Sequence, residues 1–283
     1  MSKFSKFLGG TAVALTLFAG ATQASAALVT EWGYVVESGF SAFAPPAPDQ
    51  TSAPNDSTNN GVVGSVPNPG IGGLPTTLSW GLGSNGGPSS SLVVTPTVTN
   101  PPNLFTNAGP VAGADITHNN NIITGDSIAL DSATLASTLV LTPITPPGLP
   151  IGPVPILFSI LFEETENAGV GGGDCTPGTG GEPCADIFVL QNDPNLEFSF
   201  LLDDFIYTVE LVVDGLGPLS DAACAAAGEA AGCLGFITPE EQATTLNTSF
   251  TISARGVPEP GTLALLGLGL LGLGIARRRK AAA

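Results

Sequence analysis

Residues 28–37 read Leu-Val-Thr-Glu-Trp-Gly-Tyr-Val-Val-Glu, and they decide the fold. Leu28, Thr30, Trp32, Tyr34 and Val36 alternate with Val29, Glu31, Gly33, Val35 and Glu37. Alternation at period two with an aromatic face marks a strand laid with one side on a core. The pattern returns along the chain. Leu135, Ser137, Leu139 and Leu141 share one face of 135–142; Phe205, Tyr207, Val209, Leu211 and Val213 share one face of 205–213; Leu246, Thr248, Phe250 and Ile252 share one face of 244–253. Residues 156–162 (ILFSILF) are apolar on both faces, as a central strand should be. Shorter strands are expected at 77–82, 92–98, 115–124, 187–190 and 196–202, and one short alanine-rich helix at 220–231. Long Pro/Gly-rich loops fall at 44–75, with no core of their own, and at 143–155. About ten strands punctuated in this way predict an all-β domain, a β-sandwich or jelly roll, over 27–254.

The two ends of the chain read differently. Residues 1–26 have the form of a signal peptide, with Lys3 and Lys6, an apolar stretch over 8–21, and Ala24-Ser25-Ala26 as a small-x-small cleavage site. Residues 255–283 begin with Val257, Pro258, Glu259 and Pro260, continue through sixteen apolar or small residues at 261–276, and reach Arg277, Arg278, Arg279 and Lys280. A helix that spans a bilayer comfortably needs about 17–25 apolar residues. Five of these sixteen are glycine, each costing a helix about 1 kcal/mol against alanine. The segment is therefore a marginal lifelong anchor and an effective temporary stop, its basic end held on the cytoplasmic side. The Pro-Glu-Pro triplet cannot be helical and stands extended at the outer face, open to a protease. An ordinary weak transmembrane helix is the plainer alternative.

V-P-E-P, the apolar segment and R-R-R-K together resemble the PEP-CTERM sorting tail. The resemblance implies processing by signal peptidase at one end. At the other it implies an exosortase, a membrane-embedded cysteine peptidase of Gram-negative bacteria that make exopolysaccharide. The mature protein would then leave the inner membrane for the cell surface or extracellular matrix.

Charge narrows the function. Residues 27–256 hold 23 of the 24 Asp and Glu, and Arg255 is their one basic residue. Nucleic acid as a partner is close to excluded, because Arg255 alone cannot meet a run of phosphates. Such a surface keeps an exported protein soluble. It also suits divalent cations, calcium being the natural ion for carboxylate and amide oxygens, although no D-x-D-x-D-G loop names a calcium site. Cys175, Cys184, Cys224 and Cys233 are an even set in an exported domain, which argues for disulfides. Pairing of 175 with 184 and of 224 with 233 is favoured, since each pair brackets a flexible turn; a loop of this size contributes about 2–3 kcal/mol. These spacings do not fit a zinc site, which wants ligands as close as C-x-x-C.

The central motif is Thr117-His118-Asn119-Asn120, and it resembles the THxN family of PEP-CTERM proteins. Other blocks are similar to that family too: 78–81 (LSWG), 162–167 (FEETEN), 184–189 (CADIFV) and 233–238 (CLGFIT). In extended backbone His118 and Asn120 face one side with Ile116 and Ile122, and Thr117 and Asn119 the other. The expected role of His118 and Asn120 is structural, as half-buried polar residues bonding neighbouring backbone to fix strand register. Ligand contact and catalysis are the rivals. His118 is the only histidine, no G-x-S-x-G elbow accompanies it, and only Asp115 and Asp126 lie near it in sequence. Glu163, Glu164 and Glu166 raise the question of a paired-carboxylate site, but they close an apolar strand and enter a glycine-rich loop, so they read as a solvated strand end or a calcium-loop flank. The sequence thus favours a non-enzymatic surface or matrix protein linked to extracellular polysaccharide. The alternative is a carbohydrate-binding or carbohydrate-active jelly roll, whose aromatic platform, phenylalanine apart, would have to come from Trp32, Trp80, Tyr34 and Tyr207, all set in core-like patterns.

Overall fold

A computed structural model describes residues 27–54, 58–66, 71–99, 103–165, 167, 184–191, 196–257 and 269–273. The strands in chain order are β1 (Glu31–Ala44), β2 (Val63–Ser65), β3 (Thr77–Trp80), β4 (Ser90–Val94), β5 (Thr97–Thr99), β6 (Leu104–Phe105), β7 (Val111–Ala112), β8 (Ile116–Asn119), β9 (Ser132–Thr145), β10 (Ile151–Glu163), β11 (Asp186–Leu190), β12 (Glu197–Leu202), β13 (Phe205–Asp214), β14 (Gly217–Pro218), β15 (Leu234–Thr238) and β16 (Ala243–Gly256). One helix, α1 (Asp221–Ala226), precedes β15. The first sheet runs β14-β15-β11-β10-β9-β1-β5, with β6 added against β1. The second runs β12-β13-β16-β8-β4-β3-β2, with β7 added against β16. The strand pairs are antiparallel, and the two sheets form the expected sandwich.

The alternation read in 28–37 is the alternation that packs. Trp32, Tyr34, Val36 and Phe40 of β1 are buried, as are Leu135, Leu139 and Leu141 of β9, Tyr207 and Val209 of β13, and Leu246, Phe250 and Ile252 of β16. They meet in one cluster between the sheets. Trp32 stands edge-on to Tyr207 with ring centres 5.1 Å apart. Its Nε1 donates to Thr106 Oγ1 at 2.9 Å, and Tyr207 OH accepts from the Val29 amide at 2.8 Å. β11 is buried on both faces. Phe188 points into the sandwich, while Ile187 and Val189 pack under α1 against Ala223 and Ala227. Ser220 caps α1, its side chain accepting from the Ala223 amide at 3.2 Å.

The structure departs from the sequence reading at identifiable places. The strand expected at 92–98 is broken at Thr95-Pro96 into β4 and β5, which belong to different sheets. Proline has no amide to give the ladder, so the chain crosses between sheets there. The strand expected at 115–124 stops at Asn119. The proline loop expected at 143–155 is shorter: β9 runs to Thr145 and β10 starts at Ile151, with a register shift between Ile151 and Val154 taking up the prolines. The stretch 44–75 does contribute to the core, since Val62 is buried in it beside β2. The helix is shorter than 220–231 and ends before Gly228. β2, β6, β7 and β14 are two or three residues long, too short to show a period, and β15 hides behind the helix signal.

Candidate functional site

Four strands from the two sheets carry an inward apolar residue and an inward polar one two positions apart. In β8 the pair is Ile116 and His118; from the end of β10 it is Phe162 and Glu164. In β11 Asp186 precedes Phe188, and in β15 Thr238 follows Phe236. Because the side-chain period is two, each polar group is delivered to the same interior as its apolar neighbour. β3 adds Trp80 by the same spacing from Leu78. These residues come from five blocks far apart in the chain, and they meet.

The aromatic frame is continuous. Trp80 stacks on the His118 ring at 5.7 Å with 9° between planes, and touches Phe162 at 5.0 Å. His118 and Phe162 each pack on Phe188 at 4.6 Å, and Phe188 stacks on Phe236 at 4.6 Å. Inside it, Trp80 Nε1 donates to Glu164 Oε2 at 2.9 Å, and the Thr165 amide donates to Asp186 Oδ1 at 3.0 Å. Asn120 Nδ2 donates to the Thr238 carbonyl at 3.0 Å, joining the end of β8 to β15 across the sandwich. His118 Nε2 lies 3.7 Å from Asp186 Oδ2. His118 and Thr238 are fully buried, and Asn120 and Asp186 are 1% exposed.

Several polar atoms are left over. Both ring nitrogens of His118, Asn120 Oδ1, Glu164 Oε1, Asp186 Oδ2 and Thr238 Oγ1 are buried without a hydrogen-bond partner. Such atoms are uncommon in folded proteins and each one is costly. Protonation follows from burial. Desolvation, reinforced by the Glu164 charge, pushes Asp186 well above the usual carboxylate range. Desolvation also carries Glu164 up to about 7, against the hydrogen bond from Trp80. The same desolvation pulls His118 down to about 3. Burial thus opposes charge on both partners of the His118–Asp186 contact, and the imidazole is neutral at neutral pH.

The residues singled out in the sequence separate into groups. His118 and Asn120 point into the cluster. Asn120 bonds backbone as expected, whereas His118, expected to do the same, bonds none and is held by ring stacking. Thr117 and Asn119 lie on the other face, where Thr117 Oγ1 meets Thr245 Oγ1 at 2.9 Å and Asn119 Nδ2 donates to Ser91 Oγ at 3.0 Å. Asp115, near in sequence, is engaged elsewhere, accepting from the Thr248 amide. Glu164 was expected at a solvated strand end; its carboxylate is instead drawn in by the Trp80 indole, while Glu163 stays exposed. Glu166 lies outside the described residues. Among the described residues, no three His, Cys, Asp or Glu side chains are grouped to hold a metal ion, so the calcium expectation acquires no named site. Asp186 and Thr238 were not singled out. Their signal was there: a lone polar residue in step with the inward face of an apolar strand.

Cys224 and Cys233 form a disulfide, with Cα atoms 5.7 Å apart, tying α1 to the start of β15. Cys184 is also disulfide-bonded, two residues before Asp186; its expected partner, Cys175, lies outside the described residues. At the C-terminus the Val257 amide donates to the Asp204 carbonyl at 2.8 Å. Pro258, Glu259, Pro260, the basic cluster Arg277, Arg278, Arg279 and Lys280, and the signal segment 1–26 lie outside the described residues. Within the apolar segment, 269–273 is helical. No helix among the described residues is long and apolar enough to cross a membrane.

Residues 256–280 match the family model of the PEP-CTERM protein-sorting motif. The motif marks an exported protein that passes through the membrane, is processed by exosortase and is sorted to the cell surface. No curated protein matches the chain.

Proposed function

We propose that this chain is a non-enzymatic surface or extracellular-matrix protein of the THxN type, released from the inner membrane of a Gram-negative bacterium and associated with exopolysaccharide. The sorting motif at 256–280 is the observation that carries the reading. The domain ahead of it supports the non-enzymatic part, because His118, Asn120, Asp186 and Thr238 of its polar cluster are buried rather than set in an open groove. The carbohydrate-binding alternative lacks its platform: Trp32, Trp80, Tyr34 and Tyr207 are all buried. A cavity of about 70 Å³ between the sheets is lined mainly by apolar residues such as Leu135, Phe158, Phe198, Val209 and Phe250, with Ser137, Thr138 and Thr248 as its polar side chains, a poor lining for a sugar.

Mass spectrometry of the protein from its native host tests the sorting step. The mature C-terminus is expected close to Pro258–Pro260, with no peptide from 262–276. Glu259→Ala, or loss of the host exosortase, should leave full-length protein in the membrane. An intact tail in wild-type cells at steady state would make the segment an ordinary anchor. For the matrix association, wild-type protein should co-sediment with extracted exopolysaccharide; free protein after such mixing would remove that part of the reading.

A further inference from the structure

The leftover atoms of the buried cluster include a hydroxyl, a carboxamide and a carboxylic acid. Thr238 Oγ1, Asn120 Oδ1 and Asp186 Oδ2 are buried and without hydrogen-bond partners. Asp186 and Thr238 are direct cross-strand partners on β11 and β15, so their side chains share one face with Cβ atoms about 5 Å apart. Asn120 Nδ2 bonds the carbonyl of Thr238 itself at 3.0 Å, which sets the carboxamide against the residue that bears the hydroxyl. We propose that Thr238 and Asn120 are the precursors of an intramolecular ester bond, formed by the folded domain itself with Asp186 as its acid–base group, that staples one sheet to the other.

The chemistry balances without a co-reactant. Thr238 Oγ1 attacks Asn120 Cγ, and the acid form of Asp186 donates to Oδ1 as negative charge develops there. On collapse the Cγ–Nδ2 bond breaks, Nδ2 takes the former hydroxyl proton by way of Asp186, and ammonia leaves. One C–O bond replaces one C–N bond, and nothing is oxidised or reduced. A carboxyl in its acid form is what this step needs, and burial of Asp186 favours that form. Asn120, Asp186 and Thr238 are buried, which limits access of the water that would hydrolyse the product. Residues 27–256 contain no lysine, so an amine-derived cross-link has no nucleophile there and a hydroxyl is the available one. Asn120 follows β8 and Thr238 ends β15, strands of opposite sheets. The bond would lock the sandwich covalently, as suits a protein exposed outside the cell.

Peptide mapping of the exported protein decides the matter. Chymotrypsin and a glutamate-specific protease are the reagents, since the domain offers trypsin only Arg255. The expected result is a linked species joining the Asn120 and Thr238 peptides, lighter than their sum by one ammonia and separated by hydroxylamine. Thr238→Val should retain the ammonia and give two separate peptides. Should that variant fail to fold, the wild-type map alone still decides. Recovery of both wild-type peptides separate and unmodified would overturn the proposal. So would loss of ammonia confined to the Asn120 peptide, which would mean a local succinimide.

Discussion

The Trp32–Tyr207 cluster and the Trp80–His118 cluster are built from the same kind of side chain and both bridge the two sheets, yet they treat their polar atoms in opposite ways. Around Trp32 the polar tips are answered: the indole reaches Thr106, and the Tyr207 hydroxyl takes the Val29 amide. Around Trp80 the indole is answered by Glu164, but His118, Asn120, Asp186 and Thr238 keep atoms with no partner. A cluster that only holds sheets together has no use for buried acids, because apolar residues of similar size would do so at less cost. The contrast separates a region that is simply core from one whose residue types ask for a further role.

The largest expected effect lies on the plain side. Trp32→Ala should cost about 3–5 kcal/mol, the usual range for emptying a buried tryptophan site, read as a lower denaturant midpoint. A loss under about 1 kcal/mol would mean this cluster is not the main bond between the sheets.

Next comes pH, which between about 4.5 and 7 should act on the Trp80 side, the tyrosines of the other cluster titrating only above their ordinary value. Glu164 titrates near 7 in the fold against 4.5 as its ordinary value. A group raised on folding adds stability that is complete below the ordinary value and lost as pH climbs through the folded one. The difference corresponds to about 3 kcal/mol, declining between about pH 4.5 and 7. Asp186 acts in the same direction. His118 acts in the opposite one: its contribution is complete above 6.5 and is lost as pH falls through about 3. Glu164→Gln should keep the Trp80 contact and flatten the decline between about pH 4.5 and 7. An unchanged decline in urea titrations would place its origin elsewhere.

How much of this was legible in the sequence depended on the length of the pattern. β1, β9, β13 and β16 show their period over ten or more residues, and their inward faces could be named. The break at Pro96 moves the chain between sheets, which no local pattern encodes. His118 and Asn120 were correctly placed on one face, but their partners come from β10, β11 and β15, beyond any sequence neighbourhood. Glu164 looked solvated because it ends a strand beside glycines; the Trp80 indole, 84 residues away in the chain, is what draws it in.

The Cys224–Cys233 disulfide sharpens the comparison further, since it leads into β15 and so toward Thr238. Replacing both cysteines with serine should cost about 2–3 kcal/mol. Hydrogen exchange should quicken in β15 while the β13–β16 amides beside Tyr207 keep their protection. Uniform quickening would mean that the two regions open together. The smallest effect is expected on the outer face of the THxN segment. Thr117→Ala removes only the exposed hydroxyl contact with Thr245 and should stay within about 0.5 kcal/mol. A larger loss would show that the motif acts through both of its faces.

His118 offers the most direct reading of the buried cluster, because it is the only histidine in the chain. Its imidazole resonance can be followed by NMR across pH with no question of assignment. The account predicts a neutral ring at every pH where the domain stays folded, down to about 3. A reversible titration near 6.5 in the folded protein would show a solvated or ion-paired imidazole, and the closed, neutral cluster described here would be wrong.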